Sequence, residues 1–203
     1  MLAYFVDYPD LCTGALVHPR ILLTARHCLM GSDKPDYTDT DNLSELSIVG
    51  GADVRFDPPA LAGVEDIAFH EDADIALVLL DTRLSSPTYC LRGGPSVEKG
   101  EQGIIVGYGR RLGNDPSSYG IQLFGETEVQ DILQEEHIIE VGGSAASCNG
   151  DSGGPFFTKS KDRWSIAAVC SNGVIGCPLS GAYYTDIGPY VGWVDETALT
   201  WVG

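Results

Sequence analysis

The apolar residues of this chain fall in short runs and seldom at helical spacing. "ALVHPRILLTA" is apolar with a break at His18-Pro19, and "LSIVGGADV", "DIALVLL", "GIIVGYG", "GPFFTK", "WSIAAVCSNG" and "GAYYTDI" are rich in β-branched and aromatic residues. Each run is bounded by Gly, Pro, Asn or Asp, which supply turn geometry and end strands. Short strands at such spacing predict an all-β barrel or sandwich. "VQDILQEEHIIEV" fits a helix by its period, yet Ile132, Leu133, Ile138 and Ile139 fit equally a hairpin turning at Gln134-Glu135-Glu136. Near the end, Val191, Val194 and Ala198 recur at i, i+3 and i+7, which predicts one amphipathic helix over 189–199. The acidic stretch "GSDKPDYTDTDNLS" reads as a loop. Its "DTDN" echoes a calcium loop but lacks the glycine and closing glutamate of EF-hand spacing, so no metal site is expected there.

Composition narrows what such a β protein can do. With 203 residues, 43% of them hydrophobic, the chain can bury a sizeable core as one domain or two small lobes. Twelve basic against 29 acidic side chains give a net charge of −17, which repels phosphate backbones and anionic lipid and argues against nucleic acid or membrane as partner. No apolar run approaches the ~20 residues of a membrane span. Met1 to Val6 is too short for the core of a signal peptide before Asp7 interrupts it. Six cysteines without a Cys-x-x-Cys pair fit disulfides, and disulfides imply an oxidising compartment. These two observations together lead us to expect further sequence upstream of Met1.

The candidate chemistry lies in "CNGDSGGP", Cys148 to Pro155, which sets one serine among three glycines and runs straight into Phe156-Phe157. Such a loop is either an ordinary tight turn or a display of Ser152. His27 follows the strand-like "ILLTAR" beside Cys28, and Asp74 begins "DIALVLL". Taken singly, each is an ordinary turn or strand-end residue. In combination they supply an imidazole that titrates near neutrality, a carboxylate able to fix its tautomer, and a hydroxyl that becomes nucleophilic when its proton is taken. Glycines around Ser152 would let the N–H groups of Gly150 and Ser152 converge on one developing oxyanion.

"LLTARHC", "DIALVLL" and "CNGDSGGP", in this order, resemble the signature segments of the chymotrypsin/trypsin-like serine endopeptidases. The resemblance extends through "IIVGYG", "SIAAVCSNGVIGC", "SGAYYTDI" and "YVGWV" and so covers nearly the whole chain. It implies two antiparallel six-stranded β-barrels with a C-terminal helix, residues 1–95 forming the first barrel and 96–203 the second, the first barrel lacking part of its N-terminal segment. By the same resemblance His27, Asp74 and Ser152 are catalytic, Gly150 and Ser152 form the oxyanion hole, and Ala146, Ser147, Asn149, Ser171, Gly173 and Gly181 bind substrate. Disulfides Cys12–Cys28 and Cys148–Cys177 are implied; Cys170 is expected as a buried thiol, and Cys90 as free or paired upstream. Ala146 stands at the family's pocket floor, where a carboxylate would select Lys or Arg, so an apolar P1 residue is expected. Asn172 replaces the family's usual tryptophan.

No cofactor or metal is implied. The partners expected are a polypeptide substrate and protein inhibitors, the chain acting as a secreted or periplasmic monomer. A triad-less binding module and an esterase or acyl-transfer enzyme are the competing classes, and the intact His27, Asp74 and Ser152 speak against the first. Asp151 raises a further expectation. In the family a freed N-terminal amine pairs with this aspartate, and no Ile-Val-Gly-Gly heads this sequence. Asp151 must then find another donor, an internal cation such as Arg26, or a zymogen-like loop with weak activity.

Overall fold

The computed structural model describes residues 2–7, 10–30, 37, 40–56, 58–94, 97–111, 115–160, 162–173 and 181–203. Two closed barrels of six strands each account for nearly all of the regular structure. The first is built from β1 (Leu2–Asp7), β2 (Asp10–His18), β3 (Ile21–Thr24), β4 (Ser47–Val49), β5 (Ala62–Phe69) and β6 (Ala76–Leu80), in the spatial order β1-β2-β3-β6-β5-β4. The second is built from β7 (Gln102–Gly107), β8 (Leu123–Leu133), β9 (Ile138–Gly142), β10 (Pro155–Ser160), β11 (Arg163–Gly173) and β12 (Ala182–Asp186), in the order β10-β11-β12-β9-β8-β7. All ladders are antiparallel, and closure by β1–β4 and by β7–β10 leaves neither sheet with an open edge. Leu2–Asp7 supplies the strand that closes the first barrel.

The apolar runs of the sequence become the central strands. Every residue of "ILLT" and "ALVLL" is buried, because one face of each strand fills the first barrel while the other is covered by neighbouring chain. A single apolar cluster runs from Leu22, Ile48 and Leu77 to Tyr108, Phe157, Val169 and Val194, crossing from the first barrel to the second and to the helix. A second cluster, with Ile105, Val129, Ile139, Phe156 and Tyr184, fills the second barrel. His18-Pro19 marks the turn between β2 and β3, Pro19 having no N–H to give to a ladder.

The segment with two readings is a hairpin. β8 and β9 pair from Glu128↔Gly142 to Leu133↔Ile138 around a 3-10 turn at Gln134–Glu136, and His137 closes it in the left-handed region with φ 52°. Pairing of β9 with β12 as well as β8 favours the extended form over an isolated helix. The C-terminal helix α1 spans Val191–Val202, two residues later at its start than the sequence suggested, since Gly188–Tyr190 forms a 3-10 turn before it. Val194 of the helix is buried in the apolar cluster, and Trp201 Nε1 donates to Asp66 Oδ2 of β5 at 3.0 Å.

Candidate active site

Strand register brings the first two candidate residues together. β3 and β6 pair at Thr24↔Ala76, so the turn that follows Thr24 lies opposite the residues that precede Ala76. That turn is a 3-10 segment, Arg26–Cys28, entered from an extended Ala25 and tied back to β2 by the disulfide Cys12–Cys28. The His27 N–H donates to Asp74 Oδ1 at 2.8 Å, and His27 Nδ1 lies 2.7 Å from Asp74 Oδ2. The Ser171 hydroxyl donates to the same Oδ2 at 2.5 Å. Burial pushes the Asp74 carboxyl up, but the His27 ring, the Ser171 hydroxyl and the His27 N–H outweigh it and hold the group below its ordinary value. An ionised Asp74 keeps the ring proton on Nδ1, which leaves Nε2 as the basic nitrogen.

The serine loop is tied to β2 and β11 and lies beside the Thr24-Ala25 end of β3. Thr13 N–H donates to the Ser152 carbonyl at 2.7 Å, and Gly153 N–H donates to the Cys170 carbonyl at 2.7 Å, one residue before Ser171. Gly153 has φ +79°, and a side-chain carbon there would come within 2.1 Å of Thr24 Oγ1 and 2.9 Å of Ala25 N. The serine loop is thus held between the residues that lead into His27 and the Cys170-Ser171 segment, whose serine hydroxyl bonds Asp74. Thr24 Oγ1 in turn donates to the Thr13 carbonyl, and Thr13 Oγ1 to the Gly150 carbonyl at 2.8 Å. In the sequence both threonines look like ordinary strand residues, and no local signal sets them apart.

Main-chain donors in the loop fall into two groups. The N–H groups of Asp151, Gly153 and Gly154 donate to the carbonyls of Cys148, Cys170 and Asp151, whereas those of Gly150 and Ser152 have no acceptor among the described residues. Gly150 adopts φ +97°. Unengaged main-chain donors hold an anionic oxygen where they converge on it.

Among the described residues the donors to Asp151 belong to the main chain. Its Oδ2 accepts the Cys148 N–H at 2.9 Å and its Oδ1 the Gly109 N–H at 2.8 Å, and Gly107 and Gly109 leave room for it: a Cβ on either would meet its carboxylate within 2.3 Å. Loss of water around the carboxyl pushes it up to about 6, against which the two N–H groups pull it down. Arg26, suggested as a substitute cation, is elsewhere: its Nη1 donates to the carbonyls of His70 and Glu71 at 3.0 and 2.6 Å.

The residues assigned to substrate binding are spread around the loop. Ala146 is half-buried, Ser147 is buried with its hydroxyl bonded to Tyr184 Oη, and Asn149 is exposed with its carbonyl accepting the Arg110 N–H. Ser171 lies on Asp74, as described above. Gly173 ends β11 opposite Ala182. Gly181 precedes β12, with Glu140 Oε1 2.9 Å from where its side chain would begin. Cys148 is in a disulfide, but its expected partner Cys177 lies outside the described residues. Cys90 is an exposed thiol and Cys170 a buried one. Burial pushes the Cys170 thiol up to about 12, which makes it inert.

Comparison with known proteins bears on this arrangement. The family model described as Trypsin matches residues 3–194. The chain belongs to the trypsin family. Among curated relatives, phenoloxidase-activating enzyme 1 of Spodoptera litura is 28% identical, over 92% of this chain and 58% of its own length. Serine protease 7 of Drosophila melanogaster is 28% identical over 92% and 57%, and CLIP domain-containing serine protease B9 of Anopheles gambiae 26% identical over 90% and 54%. The chain spans a little over half the length of these relatives. Membership of the trypsin family accords with the two barrels and with a disulfide beside His27. Among the described residues no helix is long and apolar enough to cross a membrane.

Proposed function

We propose that this chain is a serine endopeptidase that cleaves polypeptides through an acyl-enzyme. The observation that carries the reading is the His27–Asp74 pair set beside a serine loop whose Gly150 and Ser152 N–H groups have no acceptor among the described residues. Ser152 Oγ attacks the scissile carbonyl while His27 Nε2 takes its proton, and Asp74 stabilises the imidazolium so formed. The carbonyl oxygen, now negative, is held by the N–H groups of Gly150 and Ser152. Collapse of that intermediate breaks the C–N bond as His27 returns the proton to the leaving amine. Water then repeats the sequence, with His27 as base, and releases the acid.

Substrate choice follows from Ala146, which places no carboxylate on the pocket floor. Phe, Tyr, Leu or Met at P1 should be cleaved at least about tenfold faster than Lys or Arg, since an unmatched cation forfeits a few kcal/mol on leaving water. Profiling kcat/KM over a peptide library checks this. A strict basic preference would overturn the P1 assignment and direct attention to Glu140 beside Gly181. The Cys12–Cys28 disulfide supports export to an oxidising compartment. The name of the Spodoptera relative, an activating enzyme, makes limited cleavage of a protein precursor the natural substrate class.

One observation favours a second reading, a weakly active domain acting mainly in binding. Among the described residues Asp151 is paired with main-chain N–H groups and with no cation, and a loop held in this way without a charge pair suits a binding role. Turnover per titrated active site separates the two readings.

A further inference from the structure

We propose that Arg26 and His70 together act as a positioning strap that sets Asp74 against His27; this rests on reading His27, Asp74 and Ser152 as the reacting groups. The loop His70 to Ile75 carries Asp74 into β6, and its shape is set from inside by one imidazole. His70 Nδ1 accepts the N–H groups of Asp72 and Ala73 at 3.2 and 3.1 Å. Around it the main chain closes through His70 N–H to the Ile75 carbonyl at 3.2 Å and Ile75 N–H to the Ala73 carbonyl at 2.8 Å. Asp74 is therefore fixed between residues whose N–H groups are all spoken for. The ring itself cannot drift: Tyr190 and Trp193 at the start of α1 meet it edge-on, with centroids 4.7 and 5.2 Å away.

Arg26 ties this loop to the histidine turn. It immediately precedes His27, and its Nη1 donates to the carbonyls of both His70 and Glu71, while Nε lies 3.4 Å from Met30 Sδ. The turn and the loop are thus joined twice, once through the His27–Asp74 contact itself and once through a guanidinium that touches neither reacting atom. A single contact between two loops is a hinge; a second one makes a frame. Small displacements between reacting groups are costly in rate, about 100-fold for an ångström. Neither residue touches the reacting groups' hydroxyl or oxyanion, so both act through Asp74.

The whole chain with Arg26→Ala, His70→Ala and His70→Asn tests this, the asparagine offering an Oδ1 acceptor where Nδ1 stood. Three readouts are taken: kcat and KM on a peptide substrate, the low-field proton NMR signal of the His27 Nδ1–H shared with Asp74, and the melting temperature. Arg26→Ala and His70→Ala are expected to lower kcat by about 10- to 100-fold with KM changed less than about threefold, and to broaden or abolish the low-field signal. His70→Asn is expected to restore both. Unchanged kcat and an unchanged low-field signal in the two alanine variants, with only the melting temperature lowered, would overturn the strap. Absence of Ser152-dependent turnover in the unaltered chain would instead count against the proposed function, and the NMR signal would still decide the strap.

Discussion

Replacing Ser152 with alanine is expected to reduce kcat for peptide hydrolysis by about 10⁴- to 10⁶-fold while leaving KM and folding nearly unchanged. Nucleophile, base and carboxylate act as a unit, so loss of any one removes most of the rate. The residue is only half-buried, and its structural ties run through the main chain: its carbonyl accepts the Thr13 N–H, and its neighbours Gly153 and Gly154 hold the loop. Removing one oxygen from such a site leaves no sizeable cavity, and stability should stay within about 0.5 kcal/mol. Steady-state kinetics with denaturant unfolding of both proteins checks the two halves. Retained turnover would refute the mechanism, and a large loss of stability would mean that the loop depends on the hydroxyl.

Gly153→Ala, one residue away, should behave in the opposite manner and damage the fold first. A methyl group there meets the Thr13 carbonyl oxygen at 2.3 Å as well as Thr24 Oγ1 at 2.1 Å, and the residue has φ +79°. The left-handed conformation alone costs a non-glycine residue about 1 kcal/mol. The clash cannot be relieved by a rotamer, because one partner is backbone of β2 and the other is committed to that same backbone. A loss of about 4 kcal/mol or more is expected, with activity falling as the serine loop separates from the His27 turn. Urea unfolding measures it, and a loss below 1 kcal/mol would show that the two barrels are not in contact there.

The contrast between these neighbours explains which features could be read from the chain. The strings around His27, Asp74 and Ser152 are local: a turn after a buried strand, a carboxylate before one, a glycine loop. Their combination makes them candidates without knowledge of the fold. β5 was hidden because few of its side chains are fully buried and a bulge between Val64 and Asp66 breaks its alternation. Leu2–Asp7 gave no clear sign of the strand that closes the first barrel. The link from Thr13 to Gly150 and Ser152 spans more than 130 residues of sequence, and only barrel register creates it. By its charge Arg26 reads as a partner for Asp151, whereas its reach is decided by the β3–β6 pairing that carries the 70–74 loop alongside it. The Gly107-Tyr108-Gly109 segment looked like a strand end; its glycines make room for the Asp151 carboxylate.

The most direct test of the central claim is covalent labelling with an active-site serine reagent of the fluorophosphonate type, followed by mass mapping of the adduct. Such a reagent phosphonylates a serine only where a base takes the hydroxyl proton and donors hold the phosphonyl oxygen, so a single label reports nucleophile, base and oxyanion site at once. The account predicts one adduct per chain, on the peptide containing Ser152, absent from Ser152→Ala and formed far more slowly by His27→Ala. An unlabelled chain, or a label placed on another serine with Ser152 unmodified, would contradict it.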